Sequence, residues 1–390
     1  MNQFINPKSF GAQGDGRADD TNALQAAIDF ATETGRTVYF QPGVYLTRPL
    51  VVKPHVCLTT HATWAYGRPG RVVLSPYTDD QDCVLDLAHA NGATIEGLSL
   101  VGNRRGSGMC GILMRKKEFG PGEDAFRIEK CMVVGFSGHG VFLDHVWCFS
   151  VRSCMFGMNG GDGLRMYGWD AFIMDNWFSG NGGAGFGTEG PNSSVTMTAN
   201  RIEWNARGGI MLEGGSHYNI TGNYVDRSGG PAISLSPATN HHGGLNQDYK
   251  AYCYNISITG NVMYRSGRSA ETDGESCHIR LDTCLGCSVT GNTMCIGRDD
   301  GWVGRHSPDY GMILHRSADT VVANNTLFLG ALKELILDKG NHGPGFVVEN
   351  NPGTIVPPSA WQEGAKHPLS IPHMAEEGED KWYTDLFQNS

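Results

Sequence analysis

Nine short runs share one outline, and their fifth position collects side chains able to do chemistry. The runs are GILMR (111–115), GVFLD (140–144), GLRMY (163–167), GFGTE (185–189), GIMLE (209–213), AISLS (232–236), HIRLD (278–282), GMILH (311–315) and ELILD (334–338). Their fifth residues are Arg115, Asp144, Tyr167, Glu189, Glu213, Ser236, Asp282, His315 and Asp338; the third position adds Arg165 and Arg280. Side chains alternate across an extended strand, so the apolar second and fourth positions face a core while the third and fifth face outward. Stacked strands lie about 4.8 Å apart, which makes Glu189 and Glu213 near neighbours and separates Glu213 from Asp282 by roughly 9.6 Å. Retaining glycosidases hold two carboxyls about 5–5.5 Å apart and inverting ones about 6.5–9.5 Å, so both geometries are open. Like charges stacked so closely should raise one pKa and leave a general acid near neutral pH. We therefore expect Glu213, Asp282 and Glu189 to be catalytic carboxyls. Asp144, Arg165, Tyr167, Arg280 and His315, with Trp302 and His242 from loops, are expected to bind and orient sugar.

Other chemistries compete. A lyase acting on a uronate polymer needs a base beside the sugar carboxylate and positive charge to neutralise it. Tyr167 or His315 could be that base, and Arg165, Arg280 or a bound calcium ion the charge. The fifth-position column is net acidic, however, and would repel a polyuronate, so a neutral oligo- or polysaccharide is the easier substrate. A glycan-binding protein without catalysis would line its groove with aromatics and amides and would not need clustered acids. For any single residue, a solvated strand face is the plain alternative. CLGC (284–287) is a lone Cys pair without a second pair or a nearby His, which favours a turn over a zinc site. NGGDG (159–163) and GRDDG (297–301) suit acidic turns better than calcium loops. No cofactor is expected for the hydrolase reading.

These residues require rigid, repeated positioning, and a repeat is present. Leu98, Cys131, Cys154, Asn176, Asn200, Asn223, Asn261, Asn292, Asn325 and Asn350 mark equivalent points, 22 to 25 residues apart where no loop intervenes and 31 to 38 apart where one does. Each unit holds three alternating runs, such as RIEW, IMLEG and YNITG, split by Gly and Asn. Three strands per unit without a leucine scaffold favour a right-handed parallel β-helix over a leucine-rich horseshoe. Asn tolerates tight turns and bonds its neighbours, so stacked copies should pair along the axis, with Cys131 and Cys154 as buried substitutes. Ala23, Leu24, Ala27, Ile28 and Ala31 recur at helical spacing after a capping Asp20 or Thr21, which predicts a helix over about 20–34 that covers the open end of the stack. Long inserts at 115–125, 237–251, 266–276 and 297–309 fall beside the fifth-position column, carrying Trp302, His306, His241 and His242.

FGAQGDGRADDTNALQAAID, followed by VYFQPGVYL at 38–46, resembles the N-terminal motif of the pectate-lyase-like superfamily, which includes many phage tailspikes. The resemblance extends through the coils to about residue 353 and implies the β-helix, with lyases, glycoside hydrolases, epimerases and binding proteins all among its members. CLGCSVTGN (284–292) is similar to one coil of the inulin fructotransferases, a resemblance that implies intramolecular fructosyl transfer by acidic residues without metal, and a homotrimer. One β-helix domain is expected over 1–353, followed by a Pro- and charge-rich tail over 354–390. With 40 acidic against 30 basic residues, nucleic acid and anionic membrane surfaces are poor partners. Eleven cysteines in a long chain favour reduced thiols, and with no N-terminal leader in the residues given this points to the cytoplasm.

Overall fold

The computed structural model describes residues 3–190, 192–238, 252–267, 276–296 and 307–355. His241, His242, Trp302 and His306 lie outside the described residues, as does the tail from 356. The fold is a right-handed parallel β-helix, as the repeat predicts: short strands, three to a coil, pair in parallel with their counterparts one coil on.

The chain divides into two compact units. One holds the residues up to Gly187 together with Ser193–Thr196; the other holds Thr188–Asn192 and continues from Met197. In the first unit, the strands Cys110–Arg115, Val141–Arg152 and Leu164–Met174 stack so that Ile112, Val141 and Leu164 form one row and Arg115, Asp144 and Tyr167 another. In the second, Ile210, Ile233, Ile279 and Met312 align, as do Leu212, Leu235, Leu281 and Leu314. All eight of these apolar side chains are fully buried, which confirms the second and fourth positions as the core. Burying such a side chain is worth about 1.5–3 kcal/mol, and the repetition of that gain coil after coil holds the register.

The Asn column is a hydrogen-bonded ladder. Within the second unit the backbone N–H of Asn200, Asn223, Asn261 and Asn292 each donates to the side-chain oxygen of the next Asn in the column, at 2.9–3.0 Å. Asn325 donates to Asn351, and not to the Asn350 that spacing suggests. Asn350 is exposed, with a left-handed backbone that places its neighbour inside. In the first unit Cys131 N–H donates to Cys154 Sγ and Cys154 N–H to Asn176, so the thiols do replace amides in the ladder.

A second shift occurs at the last coil. Met312 pairs with Ile336 and Leu314 with Asp338, one residue away from the alignment of GMILH with ELILD. Strand side chains have period two, so a one-residue slip exchanges faces. Residues Leu335–Leu337 are only half-buried, so little apolar burial there enforces the pattern, and Asp338 is exposed and does not pair with His315.

The helix runs Thr21–Thr34 and buries Leu24, Ala27, Ile28 and Ala31. Asp20 precedes it but makes no side-chain cap; its buried carboxylate accepts the backbone N–H groups of Gln13 and Gly14, tying down the preceding loop. Among the described residues no helix is long and apolar enough to cross a membrane.

Candidate active site

In the second unit, chemistry gathers around Asp282, within the strand Cys277–Leu285. Asp282 is only 7% exposed. Its Oδ1 accepts hydrogen bonds from Arg316 Nε (3.0 Å), Arg316 Nη2 (2.8 Å) and Thr283 Oγ1 (3.0 Å), and Oδ2 accepts from Arg280 Nη2 (3.3 Å). His315 Nδ1 lies 3.3 Å from Oδ1. Burial works against the charge, but the hydrogen bonds from Arg316 and Thr283 and the charges of Arg316 and Arg280 outweigh it and hold the pKa below the ordinary aspartate value. The expectation of a raised pKa from stacked acids is reversed at this carboxyl, because cations and not acids are its nearest charged neighbours. Asp282 is an ionised anchor for two guanidinium groups and an imidazole.

Glu213 ends the strand Gly208–Glu213 and pairs in register with Ser236. Its half-buried carboxylate meets Arg207 Nη2 at 3.0 Å. Its backbone is pinned as well: its N–H donates to Thr188 Oγ1 (2.9 Å), and its carbonyl accepts from Asn192 Nδ2 (3.0 Å). Glu189 is half-buried, one residue beyond Thr188.

A backbone feature sets these side chains. After four of the fifth positions in this unit the backbone takes a left-handed corner: Gly190, Gly214, Thr283 and Arg316 have φ between 48° and 65°. Glycine adopts this freely, whereas Thr and Arg do so at a cost of about 1–2 kcal/mol. At Arg316 the corner places the guanidinium on the Asp282 carboxylate of the adjacent strand. Strand alternation overlooks this sixth position; the glycines at 190 and 214, in the same place after Glu189 and Glu213, are the sequence signal that marks it.

In the first unit, Asp144 pairs with His145 (Oδ1 to Nδ1, 2.8 Å), and His145 also takes a left-handed corner. Tyr167 beside Asp144 is outward-facing in register yet only 6% exposed. The rings of His145 and Phe119 pack on it, with centroids 4.8 and 5.6 Å away. Burial, reinforced by the Asp144 carboxylate, raises its phenol pKa, which makes it a poor base at neutral pH. Arg165 donates to buried Asp162 (2.9 Å), whose other oxygen accepts the N–H of Ala184, so NGGDG is the support of an arginine and a turn. Cys284 and Cys287 are buried, and among the described residues no group of three or more His, Cys, Asp or Glu is arranged to hold a metal ion.

The expected site residues thus fall into two groups, each within its own unit. Asp282, Arg280 and His315 converge, with Glu213 and Glu189 on the same unit; Asp144 and Tyr167 converge with His145 and Phe119, while Arg165 is held apart by Asp162. Trp302 and His242 lie outside the described residues. Sequence reasoning missed Arg316, Arg207, His145, Phe119 and Trp169, whose ring stacks on that of Phe119.

Comparison with known proteins agrees with the fold. Residues 4–57 match the family model described as rhamnogalacturonase A/epimerase, pectate lyase-like, and residues 139–327 match the right-handed β-helix region. A capsule K30/K69-specific depolymerase of Klebsiella phage K5-2 is 25% identical over 308 residues, covering 75% of this chain and 36% of that protein. The chain thus spans about a third of the length of this relative. Among solved structures, the Streptococcus pneumoniae surface adhesin PfbA superposes with a TM-score of 0.67 at 15% identity, covering 90% of this chain and 92% of that one. The DFA-IIIase of Arthrobacter chlorophenolicus A6 superposes with 0.60 at 11% identity, covering 91% and 94%. At these identities the structural likenesses speak to fold alone. By its coils and the match of residues 139–327 to the right-handed β-helix region, the chain is a right-handed parallel β-helix protein, and its first residues are similar to the pectate-lyase-like family.

Proposed function

We propose that the chain is a carbohydrate-active enzyme that cleaves a carboxylate-bearing polysaccharide by β-elimination at the Asp282 cluster. The observation that carries this reading is the pair of guanidinium groups, Arg316 and Arg280, bonded to one ionised, nearly buried carboxylate, with the His315 imidazole Nδ1 3.3 Å from it. With Arg207 beside Glu213, the outward face of this unit holds more positive charge than the fifth-position column suggests, which weakens the objection that it would repel a uronate. A carboxylate at Nδ1 favours the imidazole tautomer whose Nε2 lone pair is free to act as base.

In this reaction Nε2 of neutral His315 takes the proton next to the sugar's carboxylate. The electron pair of that C–H bond becomes a C=C bond as the adjacent C–O glycosidic bond breaks, and the leaving oxygen takes a proton from water. Negative charge builds on the sugar carboxylate during the step, where the guanidinium groups of Arg280 and Arg316 offset it; fixed charges of this kind act without reorganising. The capsule depolymerase relative supports a polysaccharide substrate.

A second reading, hydrolysis or fructosyl transfer on a neutral glycan, is favoured by one observation. Glu213 pairs with Ser236, whose neighbour Leu235 pairs with Leu281, so Glu213 and Asp282 face outward two strands apart. Against it, both carboxylates already carry guanidinium partners.

The test is incubation of the protein with acidic and neutral polysaccharides. The ultraviolet absorbance of an unsaturated sugar, arising only on acidic polymers, supports elimination. New reducing ends without that absorbance overturn it in favour of hydrolysis. Binding with neither product makes the protein a tailspike-like glycan binder.

A further inference from the structure

We infer that the first unit carries a sugar-docking platform, built by Phe119 and Trp169 and rimmed by Asp144 and His145, which holds a pyranose ring of the polysaccharide. The inference rests on the reading of the substrate as a polysaccharide, but not on the type of cleavage.

Phe119 and Trp169 stack with ring centroids 3.9 Å apart and planes 26° from parallel, and both are half-buried. Phe119 also touches the rings of His145 (4.9 Å) and Tyr167 (5.6 Å), so one loop residue gathers three rings from two neighbouring strands. Trp147 pairs with Trp169 in register on the adjacent strand.

The loop that presents Phe119 is built to stay in place. Lys116 and Asp124 close it with an ion pair, in which Asp124 is 1% exposed. Asp124 Oδ2 accepts the backbone N–H of Trp147 (3.0 Å), and the Asp124 N–H donates to the Trp147 carbonyl (3.0 Å). A charged pair whose carboxylate is buried at the base of an insert helps fix its conformation, and a fixed aromatic loses little entropy when a ligand settles on it.

The chemistry at the rim selects the ligand. An aliphatic ligand would cover the rings but would strip water from the Asp144 carboxylate and the His145 imidazole without replacing its hydrogen bonds, which is unfavourable. A pyranose has a face of C–H bonds for the aromatic planes and an edge of hydroxyls that donate to a carboxylate and bond an imidazole. Arg115, aligned with Asp144 on the next strand and exposed, adds a cation for a charged sugar.

The experiment measures polysaccharide binding and turnover separately for the full chain and for Phe119→Leu and Trp169→Leu, which keep apolar bulk and remove the aromatic face. The probes are sodium alginate, polygalacturonate and dextran, with binding read by titration calorimetry and folding by thermal unfolding. The inference expects at least a tenfold loss of affinity for whichever polymer the parent binds, restored by Phe119→Tyr. If the polymer is also cleaved, KM rises while kcat stays within about twofold. Parent-like affinity in a folded Phe119→Leu overturns the platform, even if cleavage proceeds as proposed. A polymer that binds and is not cleaved, with binding lost in Phe119→Leu, upholds the platform and overturns the enzymatic reading instead. If Trp169→Leu fails to fold, Phe119→Leu decides alone, since that side chain belongs to a loop and not to the core. Failure of the parent to bind any of the three polymers overturns both.

Discussion

Arg316 donates from both Nε and Nη2 to the same oxygen of Asp282, at 3.0 and 2.8 Å, although the two residues are 34 positions apart in the chain. Removing the arginine would leave a nearly buried carboxylate with Arg280 as its remaining guanidinium. Arg316→Ala should destabilise the protein by about 2 kcal/mol and lower turnover, because loss of one partner of a buried charge costs more than the pair itself contributes. Urea unfolding and a turnover assay check both; Arg316→Ala with parental stability would show that the contact carries no weight.

His315→Gln keeps a polar side chain of similar reach but cannot serve as a base. Turnover should fall by about 10²–10⁴-fold with the melting temperature nearly unchanged, as expected for loss of general-base assistance. Glu213→Gln should fall less than tenfold. The reverse pattern, a collapse at Glu213 with His315 dispensable, would move the chemistry to the paired-carboxylate hydrolase.

Asp282 predicts how stability responds to acid. Its folded pKa lies below the unfolded value, so the stabilisation it provides is present above about pH 4, the unfolded aspartate value, and is lost as pH falls through the folded pKa. Asp282→Asn should therefore be less stable than the parent at neutral pH, and the gap should close in strong acid. Denaturant melts at a series of pH values measure it; a gap independent of pH would contradict the ionised state assigned here.

A different window belongs to His278, which is fully buried on the same strand, where burial pushes the imidazole down to about 3. Here the unfolded chain binds the proton and the folded one does not. Stability should thus fall as pH drops from about 6.5 toward 3, by as much as about 1.4 kcal/mol per pH unit from this group. His278→Leu should flatten that part of the profile, and an unchanged slope would refute the assignment.

Asn261 tests the ladder. Its Oδ1 accepts from the backbone and the side chain of Asn223 at 2.9 and 3.0 Å, and its Nδ2 donates to Ile220 and Asn292. Asn261→Ala strands two buried donors of Asn223 and should cost about 2–4 kcal/mol. A loss under about 1 kcal/mol would mean that water replaces the amide, which a column this buried does not favour.

Much of this architecture is written locally. Alternation of Ile and Leu with Arg, Asp and Glu determines which side of a strand enters the core, and it does so at Leu212 and Leu281 as much as at Val141. The Asn recurrence determines the turn column, because an amide buried in each coil finds its partner in the next. These are short-range properties repeated until they add up, so the β-helix, its capping helix and the outward face of Glu213 and Asp282 are all legible in the sequence. Tertiary structure alone decided what surrounds those acids. Arg316 reaches Asp282 because a left-handed corner follows His315, and a non-glycine residue in that conformation leaves no mark in composition. Phe119 covers Tyr167 because Lys116 pairs with the buried Asp124 carboxylate and folds an insert back on the strands, a contact that alternation cannot encode. Where apolar burial weakens, at Asp338 and Asn350, register itself passed from the pattern to the end of the stack. Charge placement depends on which strands meet, and for that reason a column that reads as acidic in one dimension becomes rich in arginine in three.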